Sequence, residues 1–291
     1  MRYTDHVHYE PARIGRRARI LQQSPLWVPK PFAHSPLWAR MGSSFDPEHF
    51  LYAAPPVDIG KVQLQTLAPA TLRVLRCPLK AAWSPDLVLP EELAAWEPLV
   101  RHVLETERAH NPQFLQAWAH ISVEHTEVAA GKTQRVPGWH VDGFQGVRQA
   151  RHGIEHSYLW ANVAPTEFCL QPFLVSHLDP ARHNVFDTLQ EQAREECVFE
   201  GLPEHIYLID PYVVHRAAPM PKAGWRTFVR ITFDETYLDD PVNTVNLSLR
   251  VPESAGARIE VRDRLFAYEG GTPWELTGLR KKSLESADVK S

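Results

Sequence analysis

The chain has 291 residues, of which 44% are hydrophobic and 23% are charged. These fractions lie near the average of globular proteins, and the length suffices to bury a substantial core without disulfides. The formal net charge of -4 argues against a broad basic surface for nucleic acid or for an anionic membrane. The 25 prolines exceed the usual share of about 5% and favour a strand-rich fold with many turns.

The cysteines and the apolar runs bear on the cellular compartment. Cys77, Cys169 and Cys197 form no CxxC pair, so neither a disulfide framework nor a cysteine-zinc site is expected. The first twenty residues lack the apolar core of a signal peptide, and nowhere do about 18 apolar residues run together. A soluble protein of the reducing cytoplasm, with no membrane partner, fits this pattern best.

Residues 1–60 are rich in proline and aromatic residues, and the tetrapeptide SPLW occurs twice, at 24–27 and 35–38. Because the segment shows no sustained period, it predicts extended coil anchored by Trp27 and Trp38. The alternative is a lid that covers a substrate.

Further along the chain, the hydrophobic period predicts helices at 90–110 and 183–197. Alternating or short apolar runs predict the following strands: 61–67, 114–128, 156–163, 167–175, 205–210, 213–218 and 225–235. The segments 245–251 and 257–268 are candidates for edge strands. Together these elements predict one domain that is mainly β with flanking helices, with a jelly-roll core over 61–270 and a loosely ordered tail over 271–291.

One motif within this pattern suggests a metal site. His140-x-Asp142 lies in the sequence PGWHVDGFQG. Other His-x-acid triplets occur at 8–10, 125–127 and 177–179. A 2-His-1-carboxylate facial triad needs a third ligand from a distant strand. His215 is the best candidate, because the chain between it and His140 is long enough to cross a double-sheet barrel and return.

A cation follows the second histidine. Arg226 lies eleven residues beyond His215, in the next predicted strand. Period-two alternation puts Arg226, Phe228 and Arg230 on one face. Such a face is either solvent-exposed or directed into the barrel, where a guanidinium can clamp a carboxylate with two hydrogen bonds.

His140-x-Asp142, His215 and Arg226 together resemble the H-x-D…H…R signature of the Fe(II)/2-oxoglutarate-dependent dioxygenases. The eleven-residue step from His215 to Arg226 is similar to that of the phytanoyl-CoA hydroxylase-like branch. The resemblance covers residues 114–235. One departure is Ala217, because that branch often has a small hydroxyl residue two positions after the second histidine.

The resemblance implies a double-stranded β-helix, which is the cupin-like form of the jelly roll. His140, Asp142 and His215 would hold Fe(II), Arg226 would bind the far carboxylate of 2-oxoglutarate, with Arg230 as the alternative, and O2 would be the second co-substrate. The carboxylate at position 142 points to hydroxylation, desaturation or ring formation rather than halogenation. The expected substrate is a small molecule, such as an anion or a compound similar to an amino acid or nucleoside. A cupin-like metalloenzyme without 2-oxoglutarate and a non-catalytic carboxylate-binding barrel are the alternatives.

Side chains near the motif are further candidates for the site. Tyr158, Trp160 and Asn162 share a predicted strand face with His156, and one of them could contact the substrate or co-substrate. Trp139 beside the motif is more typical of core packing. The basic residues on both sides of the motif favour either a solvated loop or a rim that steers an anion. They are Lys132, Arg135, Arg148, Arg151 and His152.

Overall fold

The computed structural model describes residues 46–51, 54–135, 137–142, 156–178, 185–234, 237 and 243–249. Most of the predicted N-terminal coil, the predicted strand at 257–268 and the predicted tail at 271–291 lie outside the described residues.

The described part of the chain contains nine strands and two α-helices. The strands are β1 (Val57–Lys61), β2 (Leu72–Lys80), β3 (Trp118–Val128), β4 (His156–Ala161), β5 (Glu167–Cys169), β6 (Val198–Glu200), β7 (His205–Ile209), β8 (His215–Arg216) and β9 (Gly224–Asp234). The helices are α1 (Glu97–His110) and α2 (Val185–Gln192). Short 3₁₀ helices occur at Pro47–Leu51, Glu91–Trp96 and Glu195–Cys197.

The strands form two antiparallel sheets. The large sheet has the order β1-β7-β4-β9-β3-β2, and the small sheet has the order β6-β5-β8. A single bridge between His140 and His215 adds the segment before Asp142 to the edge of the small sheet. This arrangement confirms the prediction of a mainly β fold with flanking helices and a jelly-roll-like core.

Helix α1 covers the outer face of the large sheet. Apolar residues recur along α1 at helical spacing, and they pack against every second residue of the central strands. The contributing side chains include Leu99, Val100 and Val103 from α1, Ala119, Ile121 and Val123 from β3, and Val229, Ile231 and Phe233 from β9. The alternate residues of β3 and β9 therefore face the small sheet.

The interior between the two sheets is partly apolar. Leu159 from β4 and Phe228 from β9 meet Phe168 from β5 in this layer. On the far side of the small sheet, Val185 and Leu189 of α2 pack in a separate apolar cluster. The order of layers is therefore α1, large sheet, small sheet and α2, and the His140–His215 bridge lies in the third layer.

The two predicted helices are present with local changes. The segment 90–110 begins as a 3₁₀ helix over Glu91–Trp96 and continues as α1, with Pro98 in its first turn, where a missing N–H costs no helical hydrogen bond. The segment 183–197 contains α2 and a separate 3₁₀ helix at Glu195–Cys197.

Two predicted strands are wrong. β1 ends at Lys61, and residues 62–71 are almost entirely irregular, so their alternating apolar residues pack onto the core without belonging to a strand. Residues 245–249 form no strand, because the Asn246 amide donates to the carbonyl oxygens of Pro78 and Val88 instead of the backbone joining a sheet edge.

β2 has no counterpart among the predicted strands. Its register with β3 shifts twice, and Arg76 has a φ of 44°. Such bulges interrupt the period-two pattern on which strand prediction depends.

Among the described helices, none combines the length and the apolar character that a membrane span requires. The three cysteines are free and buried, in agreement with the expectation of no disulfide.

Candidate metal centre

The structure places His140 and His215 directly opposite each other. Each backbone N–H donates to the other residue's carbonyl oxygen at 2.9 Å, which forms the one bridge between their segments. Antiparallel partners place their side chains on the same face, and the two imidazole centroids are 4.4 Å apart. Sequence spacing alone could not establish this pairing.

The backbone also selects the tautomer of each ring. Nδ1 of His140 lies 3.0 Å from the carbonyl oxygen of Gly138, and Nδ1 of His215 lies 2.9 Å from that of Val213. A carbonyl oxygen only accepts, so both Nδ1 atoms carry the proton. Both Nε2 atoms therefore keep a lone pair, which is the form that binds a metal.

Asp142 completes the group. Its Oδ1 accepts a hydrogen bond from Nη1 of Arg230 at 2.9 Å, and its Oδ2 lies 3.9 Å from Nε2 of His215. One ligand atom from each of His140, Asp142 and His215 lies within 4.8 Å of the others. Oδ2 of Asp142 is buried and has no hydrogen-bond partner among the described residues. A buried carboxylate oxygen without a donor is costly, and a cation would satisfy it.

The electrostatics favour the protonation states that a metal needs. Burial is the main cause that lowers the pKa of His140 to about 4, and the nearby His215 lowers it further. Burial likewise lowers the pKa of His215. Burial opposes ionisation of Asp142, but the charge and hydrogen bond of Arg230, together with the charges that His215 and His140 carry when protonated, outweigh it and hold its pKa well below the usual range. At neutral pH the group therefore consists of two neutral imidazoles and one carboxylate.

The residues adjoining the histidines support their positions. Gly138 has a φ of +105°, a conformation that a side chain would strain, and a Cβ there would lie 3.4 Å from Oε1 of Gln190. The guanidinium of Arg216 lies 4.2 Å from the ring centroid of Trp139 and forms ion pairs with Glu167 and Glu195. Trp139 is 1% exposed, which agrees with its interpretation as a core residue.

Arg226 lies on the inner face of β9 and is buried. Its guanidinium donates to Oε1 of Gln134 and to the carbonyl oxygens of Val163 (3.2 Å) and Ala164 (3.0 and 3.2 Å). All of these acceptors are neutral. Burial, followed by the charge of Arg135, lowers the pKa of Arg226 to about 10.

Arg230 is the second arginine on this inner face. It lies about 13 Å further along the strand than Arg226, at about 3.3 Å per residue. Its contact with Asp142 ties it to the histidine group. The interpretation of this face of β9 as solvent-exposed is therefore wrong, because Phe228, Arg226 and Arg230 are all buried.

Other predicted site residues lie elsewhere. Tyr158 and Trp160 face helix α1, on the opposite side of the large sheet from Asp142, so their prediction as contacts of a substrate or co-substrate is wrong. Asn162 accepts a hydrogen bond from the backbone N–H of Thr227. Strand alternation correctly grouped Tyr158 and Trp160, but it could not tell which face of the sheet is the inner one.

The predicted basic rim is described only in part, because Arg148, Arg151 and His152 lie outside the described residues. The guanidinium of Arg135 lies 5.3 Å from the ring centroid of Phe228, and Nη1 lies 3.7 Å from Oε2 of Glu124. Arg135 is therefore a partly buried neighbour of Phe228 rather than a fully solvated rim residue.

Comparison with known proteins gives limited information. No protein-family model and no curated protein matches the chain. Among solved structures, it is similar to EvdMO1, with 18% identity over 45% of this chain and 32% of that chain and a TM-score of 0.28. It is similar to AviO1 from Streptomyces viridochromogenes, with 16% identity over 58% of this chain and 75% of that chain and a TM-score of 0.32.

A third similar structure is EvdO2 from Micromonospora carbonacea var. aurantiaca complexed with 2-oxoglutarate. It has 12% identity over 58% of this chain and 79% of that chain, with a TM-score of 0.29. The matched region spans about a third of the length of EvdMO1. Since all three TM-scores are low, the case for a function depends on the residues of the site.

Proposed function

We propose that the protein is an Fe(II)- and 2-oxoglutarate-dependent oxygenase that hydroxylates, desaturates or cyclises a small molecule. The observation that carries the proposal is the group of His140, Asp142 and His215, in which both tautomers are fixed and the buried Oδ2 of Asp142 has no hydrogen-bond donor among the described residues. Two histidines and one carboxylate suit a non-haem Fe(II) centre with open positions for other ligands.

The chain's own residues would prepare this centre. Nε2 of His140, Nε2 of His215 and Oδ2 of Asp142 would be the ligand atoms. Arg230 holds Oδ1 of Asp142, so that the other oxygen is directed to the metal. When bound, Fe(II) with 2-oxoglutarate and O2 supplies the oxidation of a C–H bond, with succinate and carbon dioxide as co-products.

The contacts of Arg226 favour the binding of an anionic co-substrate. Among the described residues, its buried charge is hydrogen-bonded to neutral oxygens alone, and such a charge is stabilised by a carboxylate. A guanidinium forms two parallel hydrogen bonds with a carboxylate, which favours a dicarboxylate bound between Arg226 and the metal. Ala217 supplies no hydroxyl to this contact, so Arg226 would carry most of it.

Apolar side chains between the sheets would keep the reaction away from water. Leu159, Phe168 and Phe228 are each at most 7% exposed. Exclusion of water strengthens the electrostatic interactions of the site and limits side reactions.

The test is anaerobic titration of the Fe(II)-loaded protein with 2-oxoglutarate, followed by visible absorption. The proposal expects a weak charge-transfer band in the wild-type protein and no band in Asp142→Ala. The matched control is Asp58→Ala, which removes a carboxylate paired with His205 on an outer strand and should retain the band.

The result also separates the alternatives. Iron binding without the band would favour a cupin-like metalloenzyme, and 2-oxoglutarate binding without iron would favour a carboxylate-binding barrel. Once the band is found, substrate-stimulated release of succinate across candidate compounds identifies the substrate.

A further inference from the structure

The imidazole ring of His120 is buried and has no hydrogen bonds among the described residues. It is 2% exposed, and neither Nδ1 nor Nε2 has a hydrogen-bond partner among the described residues. A neutral imidazole has one N–H donor and one acceptor, and leaving both unmade inside a protein costs about 1–3 kcal/mol per group. Buried groups of this kind call for an explanation, and a ligand is one.

The strand register places His120 near the candidate metal centre. Its direct partner across the strand pair is Thr232, and Arg230 is the next inner residue along β9. Diagonal neighbours in an antiparallel pair are about 7–8 Å apart. His120 therefore lies one side-chain row from Arg230, the residue that bonds Asp142 of the metal-ligand group.

Two hydroxyls continue this row across the sheet. Ser157 of β4 is the direct partner of Thr232, and their hydroxyl oxygens are 3.0 Å apart. One hydroxyl donates to the other, so the pair retains one O–H donor and unused lone pairs. His120, Thr232 and Ser157 thus form a buried row in which each side chain can both donate and accept.

The charge state of His120 restricts what it can recognise. Burial, followed by the nearby Arg76, lowers its pKa to about 3. The ring is therefore neutral at physiological pH. A carboxylate only accepts and an ammonium only donates, whereas a hydroxyl does both and satisfies either ring nitrogen.

Aromatic rings border the same imidazole. Trp118 is stacked with His120 at a centroid distance of 6.3 Å, and Tyr237 lies 5.9 Å from it. Trp118 and Tyr237 are 4.8 Å apart. The polar row is therefore bounded on one side by apolar faces, which suit the carbon skeleton of an uncharged ligand.

His125, on the same strand, is a buried histidine with a structural role, and it contrasts with His120. His125 is 4% exposed, and it bonds Oγ1 of Thr227 at 2.8 Å and the carbonyl oxygen of Ala68 at 3.1 Å. It faces the outer side of β3, whereas His120 faces the interior.

We propose that His120, Thr232 and Ser157 form a subsite that binds an uncharged hydroxyl group of the substrate beside the metal centre. That this hydroxyl group belongs to the substrate rests on the proposed function, whereas binding of a hydroxyl group at His120 does not require the metal.

The test uses the full-length protein without metal, labelled with ¹⁵N in its histidine rings. Three probes of similar size are added: 1,3-propanediol, propionate and propylammonium. The proposal expects saturable shifts of the His120 ring ¹⁵N signals with the diol and much smaller shifts with the two ions. No shift with the diol, or an equal shift with propionate or propylammonium, overturns it.

Variants complete the test. In His120→Phe the affinity for the diol should fall about tenfold, the value of about one hydrogen bond, and the melting temperature should not fall. The matched control His125→Phe should lower the melting temperature and leave diol binding unchanged. A loss of stability in His120→Phe as large as in His125→Phe would assign His120 a structural role.

His120→Asn retains a donor and an acceptor and serves to assign the NMR signals if the phenylalanine variant does not fold. The wild-type titration then still decides the proposal. Failure of the proposed function would appear separately, as the absence of the charge-transfer band with Fe(II) and 2-oxoglutarate.

Discussion

The large sheet has a carboxylate-histidine cluster on each of its two faces, and the two clusters differ in how their carboxylates are bonded. On the outer face, Glu107 accepts from Nδ2 of Asn111 at 2.6 Å through Oε1 and from the hydroxyl of Tyr158 through Oε2. Nδ1 of His156 lies 3.5 Å from Oε1. Both oxygens of this carboxylate have donors.

On the inner face, Oδ1 of Asp142 accepts from Arg230, whereas Oδ2 has no donor among the described residues and lies 3.9 Å from Nε2 of His215. Backbone carbonyls fix the tautomers of His140 and His215. Composition alone does not separate the two clusters. The difference is a carboxylate oxygen without a donor among the described residues, and this is why we propose metal binding for Asp142 and structural stabilisation for Glu107.

The largest expected effect comes from removing the inner carboxylate. Asp142→Ala should reduce Fe(II) affinity and succinate formation at least 100-fold, because a three-ligand site loses its only anionic ligand. The fold should remain, as judged by circular dichroism and the melting temperature. Full turnover in this variant would contradict the assignment of Asp142 as a ligand.

The two inner arginines should behave differently from each other. Arg226→Ala should weaken 2-oxoglutarate binding about 10–100-fold, because a charge-assisted hydrogen bond contributes about 1.5–3 kcal/mol. Fe(II) affinity should change little. Arg230→Ala should instead lower metal affinity, because it releases Oδ1 of Asp142. Titrations of each variant with metal and then with 2-oxoglutarate measure both quantities, and the opposite result would transfer the co-substrate role to Arg230.

Removal of the outer carboxylate, Glu107, should change the stability of the fold and leave metal binding unchanged. Glu107→Ala removes the acceptor of the hydrogen bonds from Asn111 and Tyr158, and we expect a loss of about 1–3 kcal/mol in the free energy of unfolding. Urea unfolding measures it. Fe(II) affinity in the folded variant should equal that of the wild type, and a large drop would mean that the two faces of the sheet are coupled.

The smallest effect concerns pH. The pKa of His120 is about 3 in the folded protein and about 6.5 in the unfolded chain, so the unfolded chain binds more protons between these values. The part of the free energy of unfolding that depends on neutral His120 is therefore fully present above pH 6.5, and it is lost as the pH decreases toward 3. Urea unfolding at several pH values should show a shallower decline in His120→Phe than in the wild type. Identical curves would mean that the pKa of His120 is the same in the folded and the unfolded chain.

The sequence predicted those parts of the fold that depend on local period. The alternation of β9 correctly placed Arg226 and Arg230 on one face, and helical spacing predicted most of α1. β2 was missed because its register shifts disrupt alternation. The strand predicted at 61–67 was wrong because alternating apolar residues also occur in coil that packs against a core.

The sequence could not predict features that depend on pairing between distant segments. Spacing made His215 a candidate partner of His140, but the bridge between them exists only through the sheet. Tyr158 and Trp160 were assigned to the wrong face because period-two alternation does not say which side is inner. The ion pair of Arg230 with Asp142 and the missing hydrogen bonds of His120 leave no signal in composition or period.

The bridge between His140 and His215 joins two segments that are distant in the chain through only two backbone hydrogen bonds. A cation bound by both imidazoles would connect the two segments. Because the cation binds the folded state and not the unfolded chain, it would raise the free energy of unfolding by mass action. The midpoint of heat denaturation should then rise with Fe(II) concentration and fall again on chelation. The melting temperature would therefore report the fraction of the protein that has metal bound, without knowledge of the substrate.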